Sequence, residues 1–253
     1  MDGQLEVKNI THIFESGTGK IPDRVIALKD ISFTVGEGEF VSIIGPSGCG
    51  KSTLLKIIAG LIIPTEGAVS LPSVTDSNSL PIGFVFQDAV LLPWKTALQN
   101  ALFPFEVMGK DMNEHKPAVK DLFRLAGLEG FENSYPKQLS GGMRQRVSIV
   151  RSLSYNPSLL LMDEPFGAID AITRDSLNDI LLNIWRETKK TILFVTHDIA
   201  EAVYLSDRVI VLGTKPGRII EEASITLERP RREDTKLDPR YYGFVKSLRE
   251  KLK

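Results

Sequence analysis

The chain has 253 residues, of which 42% are hydrophobic and 25% charged, and its formal net charge at pH 7 is −1. This composition is ordinary for a soluble globular protein and excludes a general electrostatic attraction to nucleic acid. The single cysteine, Cys49, excludes an intrachain disulfide. We expect no secretory signal, because the first residues lack a basic region followed by an apolar core, and no membrane span, because no apolar run approaches ~18 residues.

The first third of the chain is predicted to contain five strands and one helix. Leu5–Ile10 alternates as a strand does, and Ile31–Gly45 is predicted to form two strands joined by a Gly-Glu-Gly-Glu turn. Lys51–Leu61 has apolar residues at a helical spacing. Strands are also predicted at Glu66–Leu71 and Ile82–Phe86, with a polar loop around Pro72–Pro81 between them.

The remainder of the chain is predicted to alternate between helices and strands. The pattern is helical from Thr96 to Gly127, with Gly109 and Pro117 as interruptions, and no strand is expected between Phe86 and Pro157. The remaining predicted elements, in chain order, are strand Ser158–Glu164, helix Asp170–Lys189, strand Thr191–Thr196, helix Asp198–Ser206 and strand Arg208–Leu212. The alternation predicts an α/β fold with a parallel sheet and a separate helical lobe.

A short helix is predicted at the C-terminus, after a charged linker. Phe244, Leu248 and Leu252 fall on one face of it. We expect this face to pack back on the same domain.

The segment GPSGCGKST follows a predicted strand, opens a predicted helix and fits the pattern G-x-x-x-x-G-K-[ST]. Glycines let a backbone loop wrap a phosphate without steric conflict from Cβ atoms. Lys51 is predicted to contact the β- and γ-phosphates of a nucleotide, and the Ser52 hydroxyl to ligate Mg²⁺. The alternative is a glycine-rich turn that binds nothing. The nucleotide-binding candidates are Gly45, Pro46, Ser47, Gly48, Cys49, Gly50, Lys51, Ser52 and Thr53.

Acidic and imidazole side chains follow two of the later strands. Asp163 and Glu164 end a buried strand at the edge where open α/β sheets bind ligands. Asp163 is predicted to hold Mg²⁺, and Glu164 to orient or activate water; alternatively, both merely cap the next helix. His197 ends another strand and is a candidate γ-phosphate contact, although a lone histidine is more often structural.

The stretch LSGGM places Ser140, Gly141 and Gly142 at the start of a predicted helix. Two glycines in a first turn lower helix stability by roughly 1 kcal/mol each relative to alanine. Bare N–H groups at a helix N-terminus, with the helix dipole behind them, bind anions. The alternative is a loop followed by an ordinary capped helix.

Together these motifs resemble the ATP-binding subunits of ABC transporters over most of the chain, from about Leu5 to about Glu222. GPSGCGKST resembles the Walker A motif, LLLMDE the Walker B motif and LSGGM the family's signature motif. Gln87 matches the Q-loop glutamine, FGAID (Phe166–Asp170) the D-loop and His197 the switch histidine. Phe14 stands where the family has an adenine-stacking aromatic residue.

The resemblance implies a fold class: an α/β P-loop NTPase core with a parallel sheet, an N-terminal antiparallel β subdomain and a helical subdomain. It implies one ABC ATPase domain over residues 1–253. Within it, we expect the catalytic core at about 1–86 and 157–222, the helical subdomain at about 87–156 and a short tail at about 223–253.

The resemblance also implies the cofactors and the partner copy. ATP and Mg²⁺ are the implied cofactors, with Gln87 joining Ser52 and Asp163 as a metal ligand and Glu164, His197 and Gln87 acting in catalysis. In this family two cassettes face each other head to tail. Ser140, Gly141 and Gly142 would then contact the γ-phosphate of the nucleotide held by a second copy.

Within the family, FQDAVLLPWKTALQNALFP (Phe86–Pro104) resembles the nitrate, sulfonate and taurine importer branch. This implies an ATP-hydrolysing subunit at the cytoplasmic face of the membrane, partnered by a permease and an external solute-binding protein, with no nucleic acid. Leu91, Leu92 and Trp94 are either a groove for a permease helix or ordinary core. An exporter subunit, a non-transport ABC ATPase and a P-loop kinase for small molecules are the alternative functions.

Overall fold

The computed structural model describes residues 4–16, 23–71 and 80–252. The expected loop around Pro72–Pro81 falls largely outside these residues. The chain divides into two compact units, Met1–Ser73 with Thr191–Lys253, hereafter the P-loop unit, and Val74–Lys190, hereafter the helical unit. These boundaries differ from the expected boundaries between catalytic core and helical subdomain, at about 86/87 and 156/157. The expected division into subdomains stays a prediction.

An antiparallel sheet forms the N-terminal part of the P-loop unit, as the resemblance implies. Its strands are β1 (Leu5–Ser16), β2 (Asp23–Val35) and β4 (Glu66–Ser70), in the order β2-β1-β4. Both β1 and β2 are longer than their apolar alternation predicts, because they pair from Leu5↔Val35 to Ser16↔Asp23.

A second sheet of the P-loop unit carries the glycine-rich loop. Its strands in this unit are β3 (Phe40–Ile44), β7 (Thr191–Thr196), β8 (Arg208–Leu212) and β9 (Ile219–Ser224), in the order β7-β3-β8-β9. β3 is parallel to β7 and β8 and is buried along its whole length, as a central strand of a parallel sheet should be. β9 was not predicted: it is an antiparallel edge strand in which exposed and half-buried residues alternate.

Three helices complete the P-loop unit: α1 (Lys51–Ile58), α6 (Ile199–Leu205) and α7 (Pro239–Lys251). α7 is the predicted C-terminal helix. Leu248, on its apolar face, is only 2% exposed, and α7 packs against α6. The expectation that this helix packs back on its own domain is confirmed.

The helical unit contains two parallel strands, β5 (Ile82–Val85) and β6 (Leu159–Asp163), which pair from Ile82↔Leu159 to Val85↔Met162. Between them lie α2 (Ala97–Val107), α3 (Met112–Leu125) and α4 (Gly141–Leu153), and no strand, as predicted for the described residues; α5 (Ala171–Thr188) follows β6. Gly109 separates α2 from α3, whereas Pro117 lies inside α3 and does not interrupt it. Within the described ranges, none of the helices has the length and apolar character that crossing a membrane requires.

Candidate nucleotide site

The glycine-rich loop has the predicted strand–loop–helix context: β3 ends at Ile44 and α1 begins at Lys51. Gly48 and Gly50 have φ values of +77° and +98°, in the left-handed region that glycine enters without a Cβ penalty. A Cβ on Gly50 would lie 2.6 Å from Leu28 Cδ2, and one on Gly45 would lie 2.7 Å from the Leu212 carbonyl oxygen. The glycines are therefore needed both for the turn and for its close packing.

Lys51 folds back across the loop. Its Nζ donates hydrogen bonds to the carbonyl oxygens of Gly45 (2.8 Å) and Pro46 (3.3 Å), and the residue is 5% exposed. Pro46, Ser47 and Gly48 form the exposed crest of the loop. This arrangement presents backbone and a cation at the N-terminus of a helix, a combination that favours a phosphate.

Cys49 is one of the nucleotide-binding candidates of the glycine-rich loop, but its side chain is buried. Its side chain is 1% exposed, and a Cβ on Gly45 would lie 2.7 Å from its Sγ. The thiol is thus turned beneath the loop into the core. Only the backbone of Cys49 is placed to take part in binding.

Gly217, which sequence reasoning missed, supports the loop from outside. Its N–H donates to the Ala27 carbonyl oxygen (3.0 Å) and its own carbonyl accepts from the Lys29 N–H (2.9 Å). A Cβ on Gly217 would collide with the Cys49 carbonyl oxygen. Nothing in the local Lys-Pro-Gly sequence indicates that this segment rests against the P-loop, because the contact joins residues far apart in the chain.

Two further predicted residues of the P-loop unit are accessible to a ligand. Phe14 is 44% exposed on β1, and its ring meets the buried His12 ring edge-on with centroids 4.5 Å apart. His197 is exposed between the end of β7 and the start of α6. Ser52 and Thr53 are half-buried in the first turn of α1.

In the helical unit, Asp163 and Glu164 follow the buried residues of β6 and are both half-buried. Glu164 has φ +43°, although it is not a glycine and precedes Pro165. A backbone conformation of this kind costs of order 1 kcal/mol or more and is concentrated at functional sites.

The alternative that Asp163 and Glu164 cap the next helix is wrong. Asp170 caps α5 by accepting from the Thr173 N–H (3.0 Å), and this hydrogen bond lowers the pKa of Asp170.

Gln87 and Glu164 are neighbours in this unit, because β5 and β6 are parallel and end at the same edge. A Cβ on Gly167 would lie 3.5 Å from Gln87 Nε2 and 3.6 Å from Glu164 Oε2. The Gln87 amide and the Glu164 carboxylate thus converge on one point beside Gly167, which has no side chain to fill that space. This pair can orient a water molecule by donating to it and accepting from it.

The backbone that carries Gln87 is held by α4. Gln145 Nε2 donates to the Phe86 carbonyl oxygen (3.0 Å), and Arg151 donates to the carbonyl oxygens of Val90 (2.9 Å) and Ala89 (3.1 Å). Burial lowers the pKa of Arg151. Sequence reasoning missed both side chains, because polar residues inside an amphipathic helix carry no signal of what they contact.

At the start of α4, Ser140 is the N-cap and its Oγ accepts from the Met143 N–H (3.2 Å). Ser140 and Gly141 are exposed, whereas Gly142 is buried. A Cβ on Gly142 would lie 3.0 Å from Thr173 Cγ2 of α5. A glycine at position 142 therefore allows α4 to pack closely on α5. Ser140 and Gly141 form the accessible part of this helix terminus.

Comparison with protein families gives a match to the family described as "ABC transporter" over residues 28–167, more than half of the chain. The chain belongs to the ABC transporter family. An ABC transporter ATP-binding protein of Methanocaldococcus jannaschii is 52% identical over 91% of this chain and 85% of its own length. ATP binding and hydrolysis are accordingly the chemistry of this chain.

Two further relatives carry transport names. A protein named aliphatic sulfonates import ATP-binding protein SsuB, from Bacillus thuringiensis, is 44% identical over 90% of this chain and 88% of its own length. A taurine import ATP-binding protein TauB, from Yersinia pestis, is 44% identical over 79% of this chain and 78% of its own length.

Solved structures agree with the family assignment. The dimeric structure of MJ0796, a bacterial ABC transporter cassette, is 37% identical and has a TM-score of 0.74 over 87% of this chain and 98% of that one. A second structure of MJ0796 is a dimeric post-hydrolysis state bound to ADP and Pi, with 36% identity and a TM-score of 0.72 over 87% of this chain and 98% of that one. The cassette fold of the ABC ATPases is thus the fold of this chain.

The segment after Gln87 in this ABC ATPase carries an exposed tryptophan, Trp94. Trp94 is 69% exposed, so the core alternative for this residue is wrong. Asn100, fully buried, donates from Nδ2 to the carbonyl oxygens of Leu92 (3.1 Å), Lys95 (3.0 Å) and Thr96 (3.0 Å) and accepts from the Leu92 N–H (2.7 Å). One amide therefore holds the loop that presents Trp94 to solvent.

Proposed function

We propose that this chain is the ATP-hydrolysing, energy-coupling subunit of an importer for a small solute with an anionic sulfonate group, such as an aliphatic sulfonate or taurine. The SsuB and TauB names of its relatives support the solute class. The observation that carries the proposal is the exposed Ser140–Gly141 terminus of α4, because an accessible helix N-terminus of this kind favours an anion and lies outside the P-loop. The alternative of a P-loop kinase for small molecules would leave this helix terminus without a role.

The proposed binding roles follow the chemistry of each residue. The backbone of Gly45–Gly50, together with Lys51, holds the β- and γ-phosphates, and Phe14 stacks on the adenine through its exposed ring. Ser140 and Gly141 contact the γ-phosphate of the nucleotide on a second copy, and Gly142 allows the start of α4 to pack closely on α5.

Mg²⁺ fits the donors that the chain offers. Among the described residues, no three His, Cys, Asp or Glu side chains gather into a metal cage. Mg²⁺ does not need one, because it is held by one or two protein oxygens together with phosphate oxygens and water. Ser52, Gln87 and Asp163 are the proposed oxygen ligands, and the ion would neutralise charge on the phosphates.

For hydrolysis, we assign Glu164 to the attacking water as general base or orienting group. The converging Gln87 amide positions the same water. His197 contacts the γ-phosphate from its exposed position after β7. In-line attack on a phosphoryl group needs mainly such positioning and charge stabilisation.

The proposed partners are a second copy of this chain, a permease and an external solute-binding protein. Two copies enclose ATP between the P-loop of one and the Ser140–Gly141 terminus of the other. The loop that presents Trp94 contacts the permease, which places the chain peripherally at the cytoplasmic face of the membrane.

The test is ATP-driven uptake in proteoliposomes. The chain is co-purified with a candidate permease and reconstituted with Mg-ATP inside the vesicles and a candidate solute-binding protein outside. Accumulation of labelled taurine or an alkanesulfonate, lost in a Lys51→Ala complex, is the expected result. ATP-driven movement in the opposite direction would identify an exporter, and failure of the chain to assemble with any permease would contradict a transport role.

A further inference from the structure

The C-terminal segment, Ile225–Leu252, is not used by any of the roles assigned above, yet it contributes a buried cation to the P-loop unit. Arg231 is 5% exposed. Its Nη1 donates to the carbonyl oxygens of Val203 (2.9 Å), Tyr204 (3.0 Å) and Ser206 (2.6 Å), and its Nη2 to that of Ile225 (3.3 Å). A surface-covering tail does not require this arrangement.

Two of those four carbonyls, those of Val203 and Tyr204, belong to the last turn of α6, and a third belongs to its C-cap residue, Ser206. The final carbonyls of a helix have no partner inside the helix, and the helix dipole favours a cation there. Burial lowers the pKa of Arg231 to about 10, so the guanidinium remains charged at neutral pH. Arg229 adds to the same end by donating to the Leu205 carbonyl oxygen (2.7 Å).

The tail also holds the other end of α6. The Tyr241 hydroxyl of α7 donates to the Ala200 carbonyl oxygen (3.0 Å), in the first turn of α6. Since α6 has only seven residues, it is far too short to be stable by itself. Its position therefore depends on contacts of this kind at both ends.

The residues on either side of His197 are tied to α6. Asp198 is the N-cap of α6 and accepts from the Glu201 N–H (3.1 Å), while its own N–H donates to Thr196 Oγ1 (3.0 Å). Thr196 Oγ1 is in turn 2.5 Å from Glu201 Oε2. A shift or rotation of α6 must therefore move the backbone that carries His197.

We propose that Arg231 and Tyr241 are positioning residues for ATP hydrolysis: by clamping α6 at both ends, the C-terminal segment sets the position of His197. The inference rests on the role proposed above for His197. It assigns to the tail a task in turnover in addition to covering the apolar side of α6.

The decisive variant is Tyr241→Phe, which keeps the ring and removes one hydrogen bond, so folding is preserved. Tyr242→Phe, the same change at an exposed neighbouring position, is the matched control. Tyr241→Phe is expected to lower kcat about three- to tenfold, which is the fold-change that corresponds to the free energy of one hydrogen bond. The Kd for ATP is expected to stay unchanged. Arg231→Gln is expected to lower kcat further, Arg231→Lys to restore part of it, and the exposed Arg232→Gln to leave it at the wild-type value.

A spectroscopic readout separates positioning from stability. The chain has three histidines, so imidazole resonances can be assigned by single substitution. Tyr241→Phe and Arg231→Gln are expected to shift the His197 resonance and leave that of His115, in the helical unit, unchanged. In a His197→Ala background, Arg231→Gln should cause no further loss of kcat.

The outcomes distinguish this inference from the proposed role of His197. If His197→Ala lowers turnover while the tail variants leave both kcat and the His197 resonance at wild-type values, the clamp is overturned. If the tail variants lower only the melting temperature, the tail is purely structural and the inference fails. If His197→Ala itself retains full turnover, the role of His197 fails, and the catalytic part of this inference fails with it.

Discussion

Glu164 has a backbone conformation that a glutamate before a proline normally avoids. The strain is retained where it aims the carboxylate at the same point as the Gln87 amide. We expect Glu164→Gln to lower ATP turnover roughly 10²- to 10⁴-fold, because the glutamine cannot accept a proton, while ATP binding is kept. Steady-state ATPase assays and titration with a fluorescent ATP analogue measure the two quantities.

Controls for this residue separate chemistry from binding. Glu187→Gln, at an exposed position of α5, should leave turnover unchanged. Lys51→Ala should instead weaken nucleotide binding, since the cation that folds over the loop is lost. Turnover of Glu164→Gln within a few-fold of wild type would refute the assigned role.

At the scale of elements, the loop between β5 and α2 is held by hydrogen bonds to its backbone and exposes the side chain of Trp94. Asn100 holds Leu92, Lys95 and Thr96, and Trp94 projects from the loop with 69% exposure. Trp94→Ala is expected to change the melting temperature by about 2 °C at most, because exposed substitutions rarely exceed ±0.5 kcal/mol. Assembly with the permease is expected to be lost, as measured by co-purification.

Phe131→Ala, another exposed aromatic residue of the helical unit, is the matched control and should retain assembly. A buried tryptophan would cost about 3–5 kcal/mol on truncation. A loss of that size in Trp94→Ala would contradict the exposed position, and normal assembly would contradict the permease contact.

At the scale of the whole molecule, the question is whose nucleotide the Ser140–Gly141 terminus contacts. Because the Cys49 thiol is buried, Ser47 on the exposed crest of the P-loop is the better position for a probe. We expect a short bis-maleimide to link a Ser47→Cys chain to a Ser140→Cys chain when the two differently tagged variants are mixed with ATP. The Glu164→Gln background preserves the bound ATP, and a denaturing gel detects the covalent dimer.

Each variant alone and the wild-type chain, which retains Cys49, should give no such dimer. An intrachain link in a monomeric Ser47→Cys/Ser140→Cys double variant, without any product from the mixture, would refute the shared site. Ser140 and Gly141 would then be an ordinary helix start.

Elements with a local sequence pattern were predicted, whereas an edge strand that depends on its neighbour was not. The P-loop, the buried strand before Asp163 and the helix beginning at Ser-Gly-Gly were all predicted, because each is a local pattern of residue types at fixed spacing. The edge strand β9 was not, because its Ile-Ile-Glu-Glu sequence has little alternation and pairing with β8 alone makes it a strand.

The sequence by itself determined the local elements of the candidate site: a glycine-rich loop before a helix, acids after a buried strand and a second helix that begins with Ser-Gly-Gly, each encoded within about ten residues. Tertiary structure alone decided which way the side chains face. It turned the Cys49 thiol into the core, left Trp94 in solvent and brought Arg231 to the carbonyls of α6, some 25 residues earlier in the chain. The physical reason is that burial and capping depend on contacts between residues far apart in sequence, and composition and spacing carry no record of those contacts.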